Sequence, residues 1–256
     1  MNQSNNYYPA EIWQHPIDLP TLNENRVHLW RARLDVTDLE IARLATVLSP
    51  DEEARANRFR FARHRRRFVV ARGILRRLLG NYLNVEPKDL QFVYGDRGKP
   101  QLKDLHETIS LQFNVSHSHE YALYGFTHHY PIGVDIEYLR EMPDLMRIAR
   151  RFFSHQEYEL LNEASEEARS KLFFQLWTAK EAYLKAIGTG IAGSLADIDL
   201  AVDEVLSPRL LAVKGNKLTA AKWSLYSCIP VAGYIASVAI ETAPVTVIDF
   251  WHWDRV

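Results

Sequence analysis

Apolar and polar side chains alternate with a period of two along residues 27–36 (VHLWRARLDV), which predicts a strand with one buried face. The same signal returns in residues 110–118 (SLQFNVSHS) and 121–129 (YALYGFTHH), read as strand, turn, strand, and in residues 131–139 (PIGVDIEYL), read as a further strand. LQFVY at 90–94 predicts a short strand, and GDRGKP at 95–100 a turn, since it carries two glycines and a proline. Helical spacing takes over elsewhere. Asp38 is placed to cap a helix through LEIARLATVL. Ser49-Pro-Asp-Glu-Glu opens another, with a hydroxyl cap, a proline in the first turn and acids at the positive end of the dipole. An arginine-rich helix follows and is expected to end at Gly80. Beyond it, Ser154 opens a helix, residues 168–187 form a long amphipathic one, and late strands fall near 197–203, 222–229, 233–240 and 245–250. Residues 1–26, polar with scattered prolines, predict an extended arm.

The element order suggests an internal duplication. ARGILRRLLG (71–80) lies over AKEAYLKAIG (179–188) without gaps, matching the end residues and the basic residues at positions two and seven. Each match closes a helix that follows a Ser-initiated one. The expected fold is therefore α+β, a pseudo-dimer of two similar halves of about 120 residues, with residues 1–129 as the first half and 130–256 as the second. A cleft between the halves is where a ligand would sit.

Composition narrows the classes. A chain of 256 residues makes one large domain or two of roughly 100–150, and 47% apolar residues fill a core, which excludes disorder. A single cysteine, Cys228, excludes an internal disulfide framework and a cysteine-built zinc site, and points to a reducing, cytoplasmic compartment. Neither a signal peptide nor a spanning segment is expected, because no apolar run approaches about 18 residues. With 31 Lys+Arg against 32 Asp+Glu, the chain is not a generally basic nucleic-acid binder. Residues 55–77 nonetheless hold ten arginines and no acid, interleaved with Phe59, Phe61, Phe68, Val69, Ile74 and Leu75. These arginines ride on a packed helix. They are either a solvated basic face or an unneutralised cluster for a polyanion: nucleic acid, phosphorylated cofactor or acidic protein.

Candidate chemistry lies in three short segments. Along Ile132-Gly-Val-Asp-Ile-Glu137 the strand period puts Gly133, Asp135 and Glu137 on one face. Glu181, which stands where the first copy has Gly73, supplies another acid, and together they suit a hard ion such as Mg²⁺. The plain alternative is a strand edge with solvated acids. On the long helix Trp177, Glu181 and Lys185 form an i, i+4, i+8 stripe. Glu181 and Lys185 either form a helical salt bridge, or Glu181 holds metal while Lys185, with Lys180 as a second candidate, meets phosphate. Phe173, Phe174, Leu176 and Trp177 are expected in the core. In Asn114-Val-Ser-His-Ser118, Ser116 and His117 point to opposite faces, so phosphate binding fits better than a nucleophile–base pair.

Taken in order, NVSHS, GVDIE, FFSHQEYELL and FQLWTAKEAYLKAIGTGI resemble the 4'-phosphopantetheinyl transferase superfamily, in its monomeric Sfp-like branch, over roughly residues 48–199. The resemblance implies an enzyme that transfers the 4'-phosphopantetheine arm from coenzyme A to a serine of an apo acyl or peptidyl carrier protein, releasing adenosine 3',5'-bisphosphate. It also implies a pseudo-dimer with coenzyme A and Mg²⁺ in the cleft. By motif, Asp135, Glu137 and Glu181 match the metal-binding acids, and Lys185 the lysine on the coenzyme A phosphates. Ser116 and His117 match the phosphate-binding pair, and Arg97, Gly98, Lys99 and Pro100 the turn beside the nucleotide. Arg55 matches a basic position at the 3'-phosphate. Glu181 and Lys185 are the expected catalytic pair. Glu52 and Phe68 depart from the family pattern, leaving Arg58 or Arg67 to complete the 3'-phosphate pocket. The rival classes are an arginine-rich nucleic-acid-binding module, which leaves the acids unexplained, and a Mg²⁺-dependent phosphohydrolase, which leaves the carrier-type motifs unexplained.

Overall fold

The structure, a computed structural model, describes residues 7–95, 98–103, 111–189, 195–202, 208–241 and 247–254. In chain order the elements are β1 (Tyr7–Tyr8), β2 (Arg26–Arg33), α1 (Asp38–Ala45), α2 (Pro50–Asn57), α3 (Ala62–Leu83), β3 (Phe92–Tyr94), β4 (Pro100–Leu102), β5 (Leu111–Ser118) and β6 (Tyr121–His128). Then follow β7 (Ile132–Tyr138), α4 (Leu145–Phe152), α5 (His155–Glu163), α6 (Glu166–Ile187), β8 (Ile198–Val202), β9 (Pro208–Val213), α7 (Lys217–Ala220), β10 (Trp223–Cys228), β11 (Tyr234–Glu241) and β12 (Val247–Trp253). The sequence strand, three helices, four strands runs from β2 to β6 and again from β7 to β11, with the short α7 added in the second pass. This is the α+β pseudo-dimer.

Two four-stranded sheets carry the halves, in the orders β12-β2-β6-β5 and β1-β10-β11-β7. The chain ends are exchanged: β12 pairs in parallel with β2, and β1 in parallel with β10. Strand alternation builds three layers of core. On β2, Trp30 and Ala32 face α3 and pack with Ile74, Leu75 and Leu78, while Val27 and Leu29 face the other sheet. There they meet Ile132, Val134 and Ile136 of β7 and Ala236, Val238 and Ile240 of β11. Gly125 on β6 permits this approach, because a Cβ there would stand 2.7 Å from Val134 Cγ1. The third core lies between α6 and the outer face of the second sheet.

The duplication is also written in buried charge. Ser49 and Ser154 both head capping boxes whose third-position acids, Glu52 and Glu157, are buried. Glu52 takes Arg76 at 2.6 Å and Arg72 at 3.4 Å, and Glu157 takes Lys180. Arg72 and Lys180 are the position-two basic residues of the repeat. Burial of each acid is tolerable because a long-helix cation neutralises it.

Several expectations are corrected. Thr37, not Asp38, caps α1, since its hydroxyl accepts from the Glu40 amide and Asp38 is already helical. Gly80 does not end the basic helix, which runs to Leu83 and stops at the left-handed Asn84. The glycine is needed because a Cβ would meet Val85 O at 2.7 Å. The arm is stitched down: Trp13 is buried and donates to Ile229 O, and the Gln14 amide donates to Phe250 O. The arginine run is neutralised in part, at four of its ten arginines. Arg66 pairs with Asp38, Arg67 with Asp35 through two hydrogen bonds, and Arg72 and Arg76 with Glu52. Those partners lie far away in sequence, outside the run itself.

Candidate active site

Strands β5 and β7 are the facing edges of the two sheets, and side chains join them where a backbone ladder would otherwise run. Asn114 Oδ1 accepts from the Val134 amide at 2.9 Å, Ser116 Oγ donates to Asp135 Oδ1 at 2.9 Å, and Ser118 Oγ donates to Glu137 Oε2 at 2.8 Å. The period-two polar face of β5 thus holds the acidic face of β7. Ser118 and Asn114 had no assigned role in the sequence; their signal was this polar alternation opposite a strand bearing two acids.

Helix α6 closes the seam from above. A Cβ on Gly133 would lie 2.0 Å from Ala182 O and 2.4 Å from the Ala186 nitrogen, so glycine lets the helix backbone rest directly on β7. Glu181 and Lys185, each one residue before those alanines, are thereby brought to Asp135. Lys185 Nζ donates to Asp135 Oδ1 at 2.6 Å and to Ser116 Oγ at 2.8 Å, so its partner is a strand acid and not Glu181 of its own helix. The repeat equivalent of Glu181 is closed off: a Cβ on Gly73 would meet Leu44 Cβ and O at 2.8 Å.

Asp135 and Glu181 are buried, at 4% exposure each, and Asp135 Oδ2 and Glu181 Oε1 have no hydrogen-bond partner among the described residues. Desolvation, opposed by Lys185 and assisted by Glu137, raises the Asp135 carboxyl above its ordinary range. Glu181 is pushed up to about 7, chiefly by burial and then by the charge of Asp135. His117 points away from the seam and remains exposed. Its pKa is lowered by desolvation and then by the charges of Lys185 and Arg67.

The remaining candidates are spread around this centre. Lys99 Nζ donates to Lys185 O and Ala186 O, at 2.8 and 3.1 Å, which ties the turn of the first half to the C-terminal end of α6. Burial lowers Lys99 to about 8. Gly98 has φ +77°, which a glycine takes without strain, and Pro100 starts β4. Lys99 and Pro100 line a recess of about 320 Å³ with Leu111 and Phe113. Arg55 is exposed on α2 and stacks its guanidinium over Phe68. Arg97 lies outside the described residues. Two candidates are otherwise engaged: Lys180 is fully buried against Glu157 and cannot reach a phosphate, and Arg67 is held by Asp35. A recess of about 740 Å³ between Met142, Met146 and the start of α6 contains none of the site residues.

Residues 131–239 match the family model described as 4'-phosphopantetheinyl transferase superfamily, and residues 33–126 match the one described as 4'-phosphopantetheinyl transferase, N-terminal. The 4'-phosphopantetheinyl transferase HetI of Nostoc sp. is 46% identical over 236 residues, 91% of this chain and 94% of that protein. The 4'-phosphopantetheinyl transferase psf-1 of Bacillus pumilus is 32% identical over 64% of this chain and 68% of its own length. For Sfp of Bacillus subtilis the figures are 29%, 60% and 66%. The chain belongs to the 4'-phosphopantetheinyl transferase superfamily, in its Sfp-like branch. It is an enzyme of that activity, moving the phosphopantetheine arm of coenzyme A onto a serine of an apo carrier protein.

Proposed function

We propose that the β5–β7–α6 seam is the catalytic centre of this transfer. The observation that supports it is the pair of buried carboxylates, Asp135 and Glu181, with uncommitted oxygens beside Lys185. Oxygen donors of this kind fit a hard divalent cation, and Asp135, Glu137 and Glu181 would hold Mg²⁺. No group of three His, Cys, Asp or Glu among the described residues is already drawn together as a metal cage. The fit therefore rests on the oxygens of Asp135 and Glu181, with Glu137, held by Ser118, as the third donor. When bound, the ion would neutralise pyrophosphate charge.

The chain's own residues supply the rest. Lys185, already within hydrogen-bond reach of Ser116 and Asp135, meets phosphate oxygens and stabilises charge on the leaving group as the carrier serine attacks phosphorus. Glu181 takes the serine proton directly or through a water. Ser116 and His117 bound the phosphate recess, while Arg55, Lys99 and the turn at Arg97, Gly98 and Pro100 collect the nucleotide. A division into halves at 129/130 would lie between β6 and β7, apart from the exchanged end strands β1 and β12. A monomer acting in the cytoplasm fits a chain that supplies both walls of its own cleft; among the described residues no helix is long and apolar enough to cross a membrane. No nucleic-acid partner is proposed, because four arginines of the run are held by acids of the chain itself.

The test is incubation with coenzyme A, Mg²⁺ and a panel of apo acyl and peptidyl carrier proteins, read by mass for phosphopantetheine on serine. Asp135→Ala is expected to abolish Mg²⁺-dependent transfer while leaving the circular dichroism spectrum unchanged. Retained activity in that variant would remove the metal assignment.

A further inference from the structure

Behind the acids lies a second polar tract. Cross-strand register places Asp135 of β7 opposite Ser237 of β11, and Ser237 opposite Ser227 of β10. Paired residues share a face, so three polar side chains form one row across the sheet beneath α6. The adjoining row, Gly133, Ala239 and Leu225, is apolar, as a sheet face packed on a helix should be. From above, Thr178 of α6 meets the row, with its hydroxyl 2.8 Å from Ser237 Oγ. Gln175 stands one turn before Thr178, and Glu181 one turn after it. Gln175, Thr178, Ser227 and Ser237 are all fully buried.

Such groups require partners. Gln175 Oε1 and Nε2, Ser227 Oγ, Asp135 Oδ2 and Glu181 Oε1 have none among the described residues, and they fall in this one tract. A strand spacing of about 4.8 Å puts Ser227 roughly 10 Å from Asp135. That is too far to touch substrate, yet within reach of one or two bridging waters.

We propose that the tract is a built water site. Ordered waters bridge Gln175, Ser227, Ser237 and Thr178 and donate from behind to Asp135 and Glu181, which makes these four residues positioning residues for the acids. A carboxylate oxygen has two lone-pair directions, so it accepts from water behind while facing an ion in front. Waters held by several polar partners are structural elements of the interior. This inference rests on the seam being the catalytic centre.

Its test begins with a high-resolution crystal structure of the unmodified enzyme, where density for waters joining Ser227, Gln175 and Asp135 is expected. Ser227→Ala and Ser237→Ala are then compared with wild type for melting temperature, for Mn²⁺ affinity by electron paramagnetic resonance without coenzyme A, and for kcat and KM. The expected result is about ten-fold weaker Mn²⁺ binding and lower kcat, with unchanged KM for coenzyme A and a melting temperature close to wild type. Thr178→Ser, which keeps the hydroxyl, should behave as wild type, and Thr178→Val as the serine variants. A tract dry in the density, or serine variants with wild-type Mn²⁺ affinity and kcat, overturns the proposal. Asp135→Ala measured in parallel separates the two levels. If it keeps transfer, the assignment of the centre fails; if it abolishes transfer while the serine variants are unaffected, only the water tract fails.

Discussion

Gly133→Ala is a one-carbon change whose consequences follow from the contact between α6 and β7. The added methyl would sit 2.0 Å from Ala182 O and 2.4 Å from the Ala186 nitrogen, where real Cβ contacts do not fall below 3.0 Å. Both obstacles are backbone, so no side-chain rotation relieves them, and α6 must lift by about 1 Å. Overpacking of this kind costs roughly 1–3 kcal/mol of stability. The larger effect is on chemistry: Glu181 and Lys185 flank the displaced alanines, and a misplacement of about 1 Å in a catalytic group can cost on the order of 100-fold in rate. The expected protein is folded and moderately less stable, with kcat for phosphopantetheine transfer reduced about 100-fold. The assay combines mass-detected transfer under saturating coenzyme A with thermal denaturation. A Gly125→Ala control is useful, since the atoms nearest its methyl are side-chain atoms of Val134 and Ile132 rather than helix backbone. Wild-type kcat in Gly133→Ala, or equal losses of kcat in the two variants, would refute the view that helix approach sets the geometry of the centre.

Three further outcomes follow from the same geometry. Because Glu181 is raised from 4.5 to about 7 in the folded protein, the native state binds its proton more tightly than the unfolded chain. The associated stability, roughly 3 kcal/mol, is present below about pH 4.5 and lost as pH rises through 7. Glu181→Gln should remove that slope in urea denaturation of the metal-free enzyme between pH 5 and 8; parallel curves for the two proteins would contradict it. Lys180→Met leaves Glu157 buried without its cation and should cost about 3–5 kcal/mol, seen as a large drop in melting temperature with KM for coenzyme A unchanged. A raised KM at unaltered stability would instead restore Lys180 to the phosphate site. Arg67→Lys breaks the two-point contact with Asp35 and is expected to leave coenzyme A affinity within two-fold or so; a large loss measured by calorimetry would show that Arg67 reaches the nucleotide after all.

Much of the fold could be read from the sequence, because strand alternation and helix caps are local. The period of two from Ile132 to Glu137 placed Asp135 and Glu137 on one face, and the acid at 181 stood out against Gly73 in the repeat. Ser49 and Ser154 announced their helices for the same reason: a capping box spans a few residues. What escaped was whatever depends on partners far along the chain. The arginine run looked unneutralised because Asp35, Asp38 and Glu52 are outside it and reach it only through packing. Lys180 and Lys185, five residues apart on one helix, looked alike, yet one is sealed against Glu157 and the other opens to the seam.

The sequence by itself determined the elements, the duplication and the identity of the acids, since each is a pattern within a short window. Tertiary structure alone decided which acids share a site and what sits between them. Two sheet edges meet through Asn114, Ser116 and Ser118, and a glycine admits α6 to contact distance. Only that approach buries Asp135 and Glu181 together, and burial is what turns ordinary carboxylates into groups with perturbed affinity for protons and cations.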